Sequence, residues 1–145
     1  MSTTSHPEVH VSGGTVRGRG EDGLVVFRGI PFAQPPVGEH RFAAPQPALP
    51  WDGVREAAAY GPPPSQSSAF GPVPPWEGGG DTEWLTVNVW SPTDGSGPAA
   101  ALPVMVWIYG GAYMAGNAGQ PDYDGAADGR TAQWVGDRAP RKVRR

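Results

Sequence analysis

Apolar positions in this chain come in short clusters rather than at helical spacing, and one cluster stands apart. Residues 104–109 read V-M-V-W-I-Y, six consecutive apolar or aromatic positions between Pro103 and the pair Gly110 and Gly111. A run that short, rich in β-branched types and without a 3.6-residue period, predicts a strand over residues 103–109 buried on both faces. Residues 85–90 (L-T-V-N-V-W) alternate apolar and polar, the pattern of a half-buried strand. Upstream, V-H-V-S-G-G-T-V at residues 9–16 predicts strands over 9–11 and 15–17 around a glycine turn. A further short strand is expected over 24–27, entered through Glu21, Asp22 and Gly23. No stretch carries a pattern that predicts a helix.

The glycines after the apolar run carry the candidate chemistry. Without Cβ atoms, Gly110 and Gly111 let the backbone turn sharply and leave its N–H groups uncovered. Backbone N–H groups at the end of a buried strand can stabilise the oxyanion that develops in acyl transfer. A core strand ending in an ordinary glycine turn fits the same residues, and the neighbouring sequence has to decide. A phosphate loop is excluded, because Asn117 and Ala118 stand where Lys and Ser or Thr are required after Gly111 and Gly116. No G-x-G-x-x-G follows the strand, so a dinucleotide fingerprint is absent as well.

Composition narrows the class. The 145 residues suit one domain. They include 22 Gly and 18 Pro, a fraction at which disorder becomes a fair suspicion. Six Trp, four Tyr and four Phe argue instead for a hydrophobic core. With no Cys, a disulfide-stapled scaffold and thiolate metal sites are excluded. His6 and His10 are four apart, but the run is H-P-E-V-H, and Pro7 opposes the helix that would align two imidazoles on a metal. The start M-S-T-T-S-H-P lacks the basic and apolar regions of a signal peptide. Residues 95–121 carry no charge, yet Pro103, Gly110, Gly111 and Asn117 interrupt them, so a soluble, cytoplasmic protein without membrane or nucleic-acid partners is expected.

Twelve of the 18 prolines lie between Pro31 and Pro75. That density forbids long helices and central strands and leaves an extended path over a surface. Phe27, Ile30, Phe32, Phe42 and Trp51, interleaved along it, are expected to pin the path to a core. The other reading is a proline-rich ligand for an aromatic groove.

Within this path the sequence becomes specific. F-R-G-I-P-F-A-Q-P-P-V-G-E-H-R-F from Phe27, then W-D-G-V-R-E-A-A-A-Y-G-P from Trp51, resemble the N-terminal region of the type-B carboxylesterases. That family is the cholinesterase-like branch of the α/β-hydrolases. D-T-E-W-L-T-V-N-V-W-S-P from Asp81 is similar to the family's E-D-C-L-x-L-N-V-W-x-P. P-V-M-V-W-I-Y-G-G-A-Y from Pro103 resembles its strand and oxyanion turn, and Y-D-G-A from Tyr123 a segment just downstream. Trp84 departs from the family's cysteine, and Ala112 from the third glycine of its turn. Because the donor is a backbone N–H, alanine can supply it if its φ is compatible.

The resemblance implies an α/β fold, the N-terminal part of an α/β-hydrolase with small strands followed by the first strands of a mostly parallel central sheet. It implies hydrolysis of a small-molecule carboxylic ester through an acyl-serine, without cofactor or metal, with Gly111 and Ala112 as the oxyanion donors in this chain. It also implies that the stretch around Phe70 and Trp76 walls a gorge over the active site, although a solvent-side loop fits those residues equally.

The triad is not in this sequence. None of the eight serines lies in G-x-S-x-G, and His6, His10 and His40 all precede the turn, whereas the family's order is Ser, acid, His. The chain by itself is therefore expected to be inactive. Beyond Ala126 the resemblance stops. Residues 1–129 hold five Arg against 13 acids, a net charge of −8, while residues 130–145 hold six Lys or Arg against one acid, a net +5. The expected organisation is a hydrolase part over 1–126 and an unrelated basic tail over 127–145, arising from truncation or a frameshift. A non-catalytic cholinesterase-like binding or adhesion domain and a proline-rich interaction module are the alternatives.

Overall fold

Val9, Val11 and Val16 do lie on a hairpin. In the computed structural model, which describes residues 6–64, 66, 83–92, 104–112 and 114–126, β1 (Glu8–Val11) pairs antiparallel with β2 (Gly14–Arg17), Val11 opposite Gly14. Trp51 explains the glycines at its turn. A Cβ on Gly13 would come within 2.3 Å of the Trp51 ring, and one on Gly14 within 2.7 Å. The indole N–H donates to the Thr15 carbonyl at 3.0 Å, and the Trp51 amide to the Gly13 carbonyl at 2.9 Å. The indole thus closes over the hairpin and brings the proline-rich path back to it.

The other strands are β3 (Arg19–Glu21), β4 (Leu24–Pro31), β5 (Val54–Glu56) and β6 (Thr86–Pro92). Among the described residues they form two three-stranded sheets, β1-β2-β5 and β3-β4-β6, with β2–β5 parallel and the other strand pairs antiparallel. Ala57 stitches the sheets together. Its N–H donates to the Arg17 carbonyl at 2.8 Å, and its carbonyl accepts from the Arg28 N–H at 2.7 Å. Val16, Phe27, Ile30 and Ala57 form the core at this seam, each at most 9% exposed.

Several elements differ from the sequence-based expectation. The strand expected over 24–27 runs on through Pro31, with its pairing to β6 shifted between Phe27 and Ile30. Gly29 makes this possible, with φ at +71° and a hypothetical Cβ 2.7 Å from the Ala59 carbonyl oxygen. The short strands β3 and β5 were not expected, because R-G-E and V-R-E carry no apolar alternation.

Phe27, Ile30 and Trp51 anchor the proline-rich path as expected, but Phe42 does not. It is 95% exposed with φ at +60°, following the 3₁₀ turn Gly38–His40, and Arg41 lies over its outward ring. Phe32 is half-exposed. Two contacts fold the path on itself, the Ala33–Pro47 bridge and the Gln34 amide donating to the Gln46 carbonyl.

The strand over 85–90 is present as β6 with its faces reversed. Thr86, Asn88 and Trp90 are the half-buried set, and Val87 and Val89 are exposed. The strand over 103–109 is a correction. Residues 104–110 belong to neither sheet, and 104–108 are 63–85% exposed. A strand buried on both faces requires paired neighbours and covering layers, and the described residues supply neither. The apolar run states the environment it suits, not the environment it has. Phe70, Trp76 and residues 127–145 lie outside the described residues.

Candidate active site at the glycine turn

The turn after the apolar run is closed by one carbonyl. The Gly111 oxygen accepts from the Met114 N–H at 2.9 Å and from the Ala115 N–H at 3.1 Å. Gly111 has φ at +146°, and a Cβ there would fall 1.7 Å from the Ala115 oxygen, so only glycine fits. Ala112 follows with φ at +52°, a left-handed conformation that costs a non-glycine residue about 1–2 kcal/mol. Both residues are exposed, and among the described residues neither amide donates to an intramolecular acceptor. The turn therefore consumes its acceptor twice and leaves two adjacent donors unused.

The chain returns on itself at Gly116, where φ is +110° and a Cβ would lie 2.8 Å from the Gly110 oxygen and 3.0 Å from the Tyr109 ring. Two carboxamides fasten this return. Gln66 accepts from the Gly116 N–H at 2.7 Å and donates to the Gly116 carbonyl at 3.2 Å. On β6, Asn88 accepts from the Gly29 N–H at 2.9 Å and donates to the Ala118 carbonyl at 3.1 Å.

The Y-D-G-A segment completes the frame. The Tyr123 ring lies 6.2 Å from that of Trp107 and 6.1 Å from that of Tyr109. Gly125 sits against Trp90, where a Cβ would come within 2.7 Å of the indole. Gln66 and Asn88 were missed in the sequence, since one carboxamide in a proline-rich stretch and one on a strand carry no pattern.

Beside the turn lies a cavity of about 110 Å³ whose apolar walls include Phe32, Tyr60, Trp84, Leu85 and Tyr109. Tyr60 also receives the guanidinium of Arg28, 5.2 Å above its ring, while Arg28 makes a two-point ion pair to Glu21 at 2.6 and 2.9 Å. The hydrogen bond from Arg28 holds the Glu21 carboxyl below the usual range, and the same bond raises the Arg28 guanidinium. Trp90 lies on the Arg28 guanidinium as well, at 5.9 Å.

Among the described residues, no histidine stands at the turn. His10 stands on β1 beside the Thr15 hydroxyl, and His40 in the 3₁₀ turn. Among the described residues there is no cluster of His, Cys, Asp and Glu that could hold a metal, and no helix long and apolar enough to cross a membrane.

The sequence model of the Carboxylesterase family matches residues 5–127, and the chain belongs to that family. It is 40% identical over 143 residues to the phenmedipham hydrolase of Pseudarthrobacter oxydans, covering 91% of this chain and 27% of that protein. To the para-nitrobenzyl esterase of Bacillus subtilis (strain 168) it is 41% identical over 127 residues, covering 84% of this chain and 24% of the esterase. A solved PNB esterase superposes with a TM-score of 0.71 at 40% identity, over 85% of this chain and 25% of that one. The fold class is that of the α/β-hydrolase carboxylesterases, and the chain spans about a quarter of the length of these relatives.

Proposed function

We propose that this chain supplies the oxyanion turn of a serine carboxylesterase acting on a small-molecule carboxylic ester. The N–H groups of Gly111 and Ala112 would donate to the carbonyl oxygen as attack on its carbon turns it into an oxyanion. Such donors accelerate the reaction because the charge they meet is larger in the transition state than in the ester, and removing one typically costs about 10²–10³ in rate. The observation that carries this reading is the pair of exposed amides at Gly111 and Ala112 with no acceptor among the described residues. No cofactor is needed for the step. The absence of cysteine suits a reducing, cytoplasmic setting.

The sequence holds no G-x-S-x-G and no histidine after the turn, so nucleophile and base must come from elsewhere. Purified chain is expected to hydrolyse para-nitrophenyl acetate no faster than a heat-killed blank, and saturable turnover would overturn that. The turn itself is tested in a chimera, in which residues 9–126 replace the matching segment of the Bacillus subtilis esterase. A folded chimera should keep its turnover number within about tenfold of the parent, and Gly111→Val, whose Cβ would clash with the Ala115 oxygen and displace the turn, should lower the rate by at least the factor of about 10²–10³ that one lost donor costs. A folded chimera without turnover would sink the assignment.

A further inference from the structure

The oxygen and nitrogen of the Gln66 side chain meet the N–H and the carbonyl of the same residue, Gly116. A carboxamide is a peptide group on a side chain, and here it pairs with Gly116 as a neighbouring strand would. Its nitrogen also reaches the Pro64 carbonyl at 3.3 Å, which ties the clamp to its own segment. Gly116 in turn abuts Gly110 and the Tyr109 ring, directly ahead of Gly111 and Ala112. Two residues further on, the Asn88 carboxamide holds the Ala118 carbonyl and, with its oxygen, the Gly29 amide at the β4 irregularity. The return limb of the turn is therefore held at two points by side chains 50 and 30 residues away in sequence.

We propose that Gln66 and Asn88 are positioning residues that fix the return limb of the turn and so set the direction in which the Gly111 and Ala112 amides face. Their functional consequence rests on the oxyanion-turn reading; their structural role does not. Neither residue touches the substrate carbonyl in this scheme. Each acts through backbone it holds.

The test uses the full chain labelled with ¹⁵N. In Gln66→Ala, hydrogen exchange at the Gly116 amide should accelerate by about tenfold, as expected for a lost hydrogen bond, and the Gly111 and Ala112 resonances should move. The amides of Val26 and Val89 serve as a fold control for the Gln66 variants, because the Gln66 side chain bonds only Pro64 and Gly116 and does not touch the β4–β6 ladder. Gln66→Glu adds a readout that packing alone would not give. Its carboxylate can accept from Gly116 but cannot donate, whereas the protonated acid does both. The Gly116, Gly111 and Ala112 shifts should therefore return toward those of the parent at matched pH as the solution falls below about pH 4. Asn88→Ala should move Gly119 and Gly29 together.

Unchanged Gly111 and Ala112 resonances in a folded Gln66→Ala chain would overturn the proposal. If Gln66→Ala unfolds, the glutamate titration decides, and shifts that do not reverse with protonation overturn it equally. An inactive chimera alongside the expected resonance changes would remove the esterase reading and leave the clamp. An active chimera without those changes would do the opposite.

Discussion

Gly111 and Ala112 are neighbours with opposite tolerances. A Cβ at Gly111 meets the Ala115 oxygen at 1.7 Å, and no rotamer can relieve a backbone clash. Ala112 carries its Cβ in the left-handed region, at φ +52°. Ala112→Gly releases about 1–2 kcal/mol of that strain and returns about 0.4–1 kcal/mol as entropy of the unfolded chain. A net gain of up to about 1.5 kcal/mol is expected in urea unfolding, with the Met114 and Ala115 amides still protected. A loss of stability would show that the methyl group makes contacts worth more than the strain. That an alanine follows the glycine pair was readable from the chain. Its φ was not, because the value is fixed by Met114 and Ala115 closing onto Gly111.

Among the elements, β4 shows how charge and backbone join. Arg28 sits beside the irregularity, bonded at two points to Glu21 of β3 and covered by Tyr60 and Trp90. Glu21 titrates below its ordinary value, chiefly because Arg28 donates to it. A depressed carboxyl contributes stability that is complete above the unfolded-state value, about 4.3, and is lost as pH falls through the folded-state value. Glu21→Gln should accordingly lower stability at neutral pH, and the gap to the parent should narrow progressively as the solution is acidified below the unfolded-state value. The carboxylate is 39% exposed, so water screens the pair and the difference is expected to be modest. A gap that persists unchanged in acid would assign the effect to packing.

The same sheet shows where pattern reading succeeds and where it stops. The alternation L-T-V-N-V-W identified a strand, since period-two alternation follows from backbone geometry. It did not identify the inward face, because Asn88 turns inward to serve Gly29 and Ala118, a demand set by residues far off in sequence. Strands β3 and β5 are held by pairing to Leu24–Pro31 and Gly14–Arg17 rather than by apolar content of their own, so nothing local announced them.

At the scale of the molecule, five consecutive apolar side chains at 104–108 stand 63–85% exposed on a chain with a core of a few residues. An uncharged, β-prone run of this kind promotes association between copies. Val106 is 77% exposed, and Val106→Lys should shift the chain toward monomer in sedimentation velocity without altering the β4–β6 amides. Parent and variant sedimenting alike as monomers would contradict this. The run was legible as apolar and β-prone. What surrounds it was not legible, since the chain spans about a quarter of its relatives' length.

Asn88 also ties the loop to the alignment of the strands beneath it. Its carboxamide reaches the Gly29 amide and the Ala118 carbonyl only while Thr86–Pro92 lies in its native register on Leu24–Pro31. A slip of one position would turn that side chain to the opposite surface of the sheet. The return limb at Ala118 therefore keeps this anchor only in the native register, which makes it a reporter of pairing errors between the two strands.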